Sequence, residues 1–213
     1  MALLRKEFKT REEWLEARTE IGIGGSEAAA VIGCSPWMSS VELWRLKTNI
    51  TVAKDLSNNA AVEQGVRLEP ALRALFGVLH PEYEIEYHPY DILAQEERPW
   101  LFATLDGELI EGDRRGVLEI KTSTPGNAAK WDMWKTGVPQ WYAAQIFHQL
   151  LATGYDFAIL FAALFSLDGT ITLKTYEFER IDHETDLEWL LSKEENFMRY
   201  VKTRMMPPMV LSL

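Results

Sequence analysis

Two carboxylates and a lysine in the stretch 102–123, FATLDGELIEGDRRGVLEIKTS, are the residues best suited to do chemistry. Asp106 closes one apolar run and Glu119 and Lys121 close the next, with a polar, glycine-containing segment from Glu111 to Gly116 between them. That pattern predicts a β-hairpin. Side chains alternate across a strand, so Glu119 and Lys121 share a face and Ile120 takes the other, while the hairpin brings Asp106 opposite. Hard oxygen ligands of this kind hold Mg2+, which lowers the pKa of a bound water, and a neighbouring lysine steadies the nucleophile or a phosphate charge. The chemistry such a group suits is phosphodiester hydrolysis. The same spacing also fits a hairpin whose charges face water, and these residues leave both readings open.

The surrounding elements must position that group. Thr10, with Glu12 and Glu13 behind it, caps a short helix that places Trp14 and Arg18 at i and i+4 on one side. Ile21 to Gly33 runs a glycine-rich loop into an apolar helix with Ser26 at its start. A helix N-terminus behind glycines suits a phosphate, and an ordinary serine cap fits the same residues. Ser40 to Lys47 forms another helix, Ile50 to Ser57 is a linker, and Ala60 to Leu79 is a long helix. Its buried stripe is Val62, Val66, Leu68, Leu72, Leu75 and Phe76, and Pro70 after Glu69 implies a kink or restart. A glutamate beside a kink can face water or be aimed at a site.

Tyr83 to Leu93 alternates as one strand with Pro89 at an edge or bulge, followed by a hairpin from Trp100 to Lys121. Asn127 to Lys135 is helical, with Trp131 and Trp134 assigned to packing. From Pro139 a second helix runs to a stop at Gly154, with Tyr142, Gln145 and Gln149 on its polar face. Asp156 to Leu167 reads as a buried central strand, Thr170 to Arg180 as its hairpin partner, and Asp186 to Arg204 as an amphipathic helix. The tail from Met205 to Leu213 is apolar and suits a subunit interface.

At 213 residues, 47% hydrophobic and 25% charged, the chain suits one α/β domain. Its lone cysteine, Cys34, excludes a disulfide framework and a cysteine-ligated cluster within one chain. A net charge of −10 argues against coating nucleic acid through a broad basic face, but leaves room for an enzyme whose positive potential is local. No run of apolar residues is long enough for a membrane span. Arg5, Lys6 and Glu7 interrupt the opening residues, so no secretory signal is expected and a reducing intracellular compartment is. The four histidines, His80, His88, His148 and His183, share no ligand spacing and read as structural.

With these residues laid out, the sequence resembles the lambda-exonuclease or YqaJ-type viral recombinase group of the PD-(D/E)XK nuclease superfamily. Five pieces carry the likeness in order: Trp14 with Arg18 ahead of the Ser26 loop, Gly65-x-x-x-Glu69, Leu105-Asp106-Gly107, Leu118-Glu119-Ile120-Lys121, and Tyr142-x-x-Gln145. The resemblance implies a restriction-endonuclease-like α/β core, a central mixed β-sheet flanked by helices. It divides the chain into an N-terminal helical part with a phosphate-binding loop (1–60), a catalytic core (61–204) and the apolar tail (205–213). It implies Asp106, Glu119, Glu69 and the Ile120 carbonyl as ligands of Mg2+ or Mn2+, with Lys121 catalytic. Arg18, Ser26, Thr104 and Gln145, with Gln149 one turn further on, match the phosphate-holding positions.

The sequence departs from the family pattern at Leu105, where proline is usual, and at Thr104, where serine is; neither change removes a ligand or donor. The loop between Arg18 and Ser26 needs a small insertion to match. The implied activity is a 5′-to-3′ exonuclease acting on double-stranded DNA ends and leaving 3′ overhangs for recombination. A trimeric ring, a single-strand annealing partner, no membrane, and the cytoplasm of a bacterial host carrying a phage or prophage are implied with it. An endonuclease of the same superfamily and a silent DNA-end-binding module are the alternatives.

Overall fold

The structure, a computed structural model, describes residues 2–53 and 59–208. Positions 54–57 of the expected linker and 209–213 of the apolar tail lie outside the described residues. In chain order the elements are β1 (Leu3–Glu7), α1 (Arg11–Ile21), β2 (Ile23–Gly24), a 3-10 turn (Gly25–Glu27) and α2 (Ala28–Val31). They continue with α3 (Ser40–Lys47), α4 (Ala60–Leu79), β3 (Glu84–Glu86), β4 (Asp91–Gln95) and β5 (Leu101–Ala103). Next come β6 (Gly107–Glu111), β7 (Arg114–Ser123), α5 (Ala128–Thr136), α6 (Gln140–Thr153), β8 (Phe157–Phe165), β9 (Ile171–Glu179) and α7 (Glu184–Thr203).

The hairpin forms as its alternation requires. Glu111 pairs with Arg114, leaving Gly112 and Asp113 as the turn, with Gly112 at φ 61°. β7 lies at the centre of a five-stranded mixed sheet, order β3-β6-β7-β8-β9, antiparallel to β6 and parallel to β8. Only a long crossover can join parallel neighbours, and α5 and α6 supply it. The period-2 pattern of β7 then sorts the core: Val117 packs with Leu160, Ile146 and Leu150 on the α6 side, while Leu118 and Ile120 pack with Leu72 and Phe76 of α4 on the other. β8, covered on both faces, is apolar along almost its whole length.

A second, four-stranded sheet, order β1-β4-β5-β2, stands beside the first and was not expected. β1 is short and carries Arg5, Lys6 and Glu7, which hide its alternation, yet it pairs with β4 from Leu3↔Gln95 to Glu7↔Asp91. Three expectations change with this sheet. Phe102 belongs to β5 and not to the hairpin, so the chain crosses between sheets at Thr104, Leu105 and Asp106. The single strand over Tyr83 to Leu93 is two strands in different sheets, broken where Pro89 lacks an N–H and Tyr90 takes φ 60°. Ser26 sits inside a 3-10 turn and caps no helix; the Glu27 carboxylate instead accepts the Gly24 N–H at 2.9 Å, and α2 is only four residues long.

Thr10 accepts the Glu13 N–H at 3.2 Å and caps α1 as expected. α4 runs unbroken through Pro70, without the expected restart. Val62, Val66 and Leu75 of its expected stripe are exposed, leaving Leu72 and Phe76 as its buried residues. Among the described residues no helix is long and apolar enough to cross a membrane.

Candidate active site

The crossing between the sheets opens into a cleft of about 560 Å³. All ten residues singled out from the sequence line it: Arg18 and Ser26 from the N-terminal part, Glu69 from α4, Thr104 and Asp106 from the crossing, Glu119, Ile120 and Lys121 from β7, and Gln145 and Gln149 from α6. Antiparallel pairing of Gly107 with Leu118 sets Asp106 against Glu119, and Glu69 approaches from the helix on the opposite face of the sheet.

Glu119 is 3% exposed, with a donor on each of its carboxylate oxygens. One carboxylate oxygen accepts from the Lys121 ammonium and from Gln145 Nε2 at 2.6 Å; the other accepts from Gln149 Nε2 at 2.6 Å. The two glutamines, one helical turn apart on α6, therefore grip a carboxylate rather than standing free in the cleft. Asp106 Oδ2 accepts the Ile120 N–H at 2.8 Å. Glu69 is ion-paired with Arg73 one turn later, and Arg73 also donates to the Asp106 carbonyl and lies 3.4 Å from the Tyr87 ring centroid. Arg73 was missed in the sequence, although its i+4 spacing from Glu69 signals the pair.

Charge crowding shows in the titration of these groups. Burial, then the negative charges of Glu119 and Glu69, hold the Asp106 carboxyl well above the usual carboxylate range. Burial also raises Glu69, with Arg73 opposing it. Burial acts to lower Lys121, but Glu119 and Asp106 outweigh it, so the side chain is held as an ammonium. Arg18 is lowered by burial against the pull of Glu27, Asp106 and Glu119.

Two mutually repelling carboxylates, a third across the cleft and a nearby backbone carbonyl are the hard-oxygen donor set that Mg2+ takes, so these residues fit such an ion. Among the described residues no three His, Cys, Asp or Glu already stand together at ligand spacing. Each carboxylate is met by its own cation or amide, and Glu119, with three donors on its two oxygens, keeps an acceptor position for a metal at the oxygen bonded to Gln149.

Arg18 brings positive charge to the same cleft. The Arg18 guanidinium lies 4.4 Å from the Trp14 ring centroid, and Trp14 Nε1 donates to the Asp91 carbonyl at 3.0 Å, so the arginine rests on an anchored ring. Ser26 is exposed there. Gly25 packs directly on α6: a Cβ at that position would stand 3.3 Å from Cγ of both Gln145 and Gln149. The loop and the glutamines are thus in contact, which ties Arg18 and Ser26 to Glu119 through α6. His148, between the glutamines in sequence, is turned away and buried, bonded to Glu194 and to the Phe102 carbonyl.

Comparisons with known proteins bear on the chain and its fold. The family model for the YqaJ-like viral recombinase domain matches residues 13–156. The protein YqaJ of Bacillus subtilis strain 168 is 28% identical over 197 residues, covering 87% of this chain and 55% of the relative. This chain thus spans about half the length of that curated relative. Among solved structures, an alkaline exonuclease (LHK-Exo) from Laribacter hongkongensis aligns over 91% of this chain and 97% of its own, at 23% identity and a TM-score of 0.59. A phage-related exonuclease from Haemophilus somnus 129PT aligns over 90% and 99%, at 13% identity and a TM-score of 0.54. The likeness establishes the expected fold class, an α/β core with mixed β-sheet flanked by helices.

Proposed function

We propose that this chain, which belongs to the YqaJ-like viral recombinase domain family, is a Mg2+-dependent DNA exonuclease that digests one strand of a duplex from its 5′ end and leaves a 3′ overhang for recombination. The observation that supports it best is the convergence of Asp106, Glu119, Glu69, Lys121 and Arg18 on one cleft. Asp106, Glu119, the Ile120 carbonyl and Glu69 would hold Mg2+, or Mn2+ in its place. Such an ion supplies an activated water and neutralises charge at the leaving oxygen.

The remaining steps fall to the chain itself. Lys121, an ammonium at the edge of the acid cluster, sets a positive charge against the scissile phosphate as negative charge builds on it. Gln145 and Gln149 hold Glu119 in one orientation, so the ligand is preorganised. Arg18, steadied by Trp14, takes the terminal phosphate through charge-assisted hydrogen bonds, with Ser26 and Thr104 beside it. A local positive group inside an acidic molecule of net charge −10 confines DNA to this cleft. The family resemblance extends the reading to a trimeric ring threaded by DNA, a single-strand annealing partner, and a phage or prophage gene in a bacterial host.

The test is digestion with Mg2+ of linear duplexes bearing a 5′ phosphate or a 5′ hydroxyl, alongside closed circular DNA and a Lys121→Ala control. Loss from the 5′ end, faster with the phosphate and absent in the variant, is the expected result. Nicked circles would favour an endonuclease. Binding of ends without digestion, with Mg2+ or Mn2+, would leave a silent module.

A further inference from the structure

Trp37 is 68% exposed, on the loop between α2 and α3. A single exposed indole is ordinary on a protein surface; this one is set apart by the backbone that fixes it and by the aromatic rings beside it. The loop is built to hold it. Ser35 Oγ accepts the N–H groups of Trp37 and Met38 at 3.2 and 3.3 Å, Pro36 restricts the backbone before the tryptophan, and the capping box of α3 starts at Ser39.

The ring's aromatic neighbours lead to the catalytic lysine. Trp37 meets Trp141 edge-on at 6.0 Å between centroids and 78°, and Tyr142 at 6.1 Å and 47°. Neither is a parallel stack. Tyr142 in turn lies under Lys121, whose Nζ is 5.3 Å from its centroid. An aromatic track therefore runs from the group that faces the scissile phosphate to an indole open to solvent.

On these grounds we infer that Trp37 is a stacking platform for a nucleobase of the strand next to the cleaved bond. The inference rests on the nuclease reading and deepens it. Stacking on an aromatic ring accepts every base, which suits an enzyme that must move through any sequence. It also supplies affinity that does not depend on positive charge, and this chain, with 22 Lys and Arg against 32 Asp and Glu, has little of that to spend on the phosphate backbone.

The experiment compares the full chain with Trp37→Ala and Trp37→Phe on linear duplexes whose ends are intact or carry one abasic nucleotide, walked inward from the 5′ end. Trp37→Ala is expected to raise KM about tenfold while leaving kcat within about twofold, since a stacked base contributes to binding more than to the chemical step. Trp37→Phe recovers most of the loss. At one abasic position the unaltered chain shows the same rise in KM, and Trp37→Ala adds nothing further. An unchanged KM in Trp37→Ala, or a rise that no abasic position reproduces, overturns the platform while the nuclease reading stands. A change in sedimentation mass with no base dependence also overturns it and assigns Trp37 to contact between copies of the chain. If the unaltered chain digests no linear DNA, the nuclease reading falls, and the platform with it.

Discussion

The pair behind the site gives the sharpest test of how the fold is held. Glu194 of α7 and His148 of α6 are both fully buried. His148 Nδ1 lies 2.7 Å from the Glu194 carboxylate and Nε2 lies 2.9 Å from the Phe102 carbonyl oxygen. The Phe102 carbonyl only accepts, and an ionised Glu194 carboxylate only accepts, so with Glu194 ionised both ring nitrogens donate and the ring is an imidazolium. Burial acts to lower its pKa, but Glu194 and the Phe102 carbonyl outweigh that and hold it above the ordinary 6.5. Glu194→Leu leaves this cation without its counter-charge, or strips a proton and a hydrogen bond from it. Breaking one side of a buried pair costs about 3–5 kcal/mol. For a domain of this size each kcal/mol moves Tm by about 2–4 °C, so a fall of roughly 6–20 °C is expected in thermal unfolding followed by circular dichroism near pH 6. The pH dependence has a definite sign. A raised folded pKa means that the pair's contribution is complete below the ordinary value and fades as pH climbs through the raised one. The gap between the two proteins should therefore narrow in alkali. A Tm within about 2 °C of the unaltered chain near pH 6, or a gap that widens as pH rises, refutes the reasoning.

Other consequences can be measured separately. Lys121→Ala should slow single-turnover digestion of linear duplex by about a hundred- to thousandfold, as loss of a charge aimed at the transition state does. Arg18→Ala should raise KM for 5′-phosphorylated ends about tenfold or more and erase the difference from 5′-hydroxyl ends in parallel assays. Gln149→Leu removes the donor to one oxygen of Glu119 and should weaken Mg2+ binding about ten- to a hundredfold in calorimetric titration. In Gly22→Ala the new Cβ would lie 2.0 Å from the Trp100 carbonyl oxygen. That forces β2 away from β5, and urea unfolding should show a loss of more than about 2 kcal/mol.

Much of the site was readable before the fold. Asp106, Glu119 and Lys121 lie within one hairpin, where alternation sets the faces and a two-residue turn sets the register, so their juxtaposition follows from local pattern. Trp14 and Arg18, a helical turn apart, were equally legible, and so was the polar face of α6. Glu69 and Ser26 are different. Their places in the cleft depend on how α4 and the glycine-rich loop pack, and family resemblance, not periodicity, pointed to them.

The second sheet was hidden because its strands are short and draw on separated parts of the chain. β1 is masked by its charges and β2 is two residues long, and neither forms without β4 and β5 to pair with. For the same reason Phe102 was read into the hairpin, although it lies on the far side of a crossing between sheets. The exposure of Val62 and Val66 on α4 shows the converse, since an apolar stripe has a buried side only where something covers it.

What the sequence determined by itself is which groups lie beside one another and in what order, because strand alternation, helical spacing and turn residues act between near neighbours. Only the tertiary structure decided the state of those groups. The grip of Gln145 and Gln149 on Glu119, the pairing of Arg73 with Glu69 and the raised pKa of Asp106 all arise where distant segments close out water. Desolvation and the Coulomb interactions it strengthens depend on what surrounds a residue in space, and no short-range pattern carries that information.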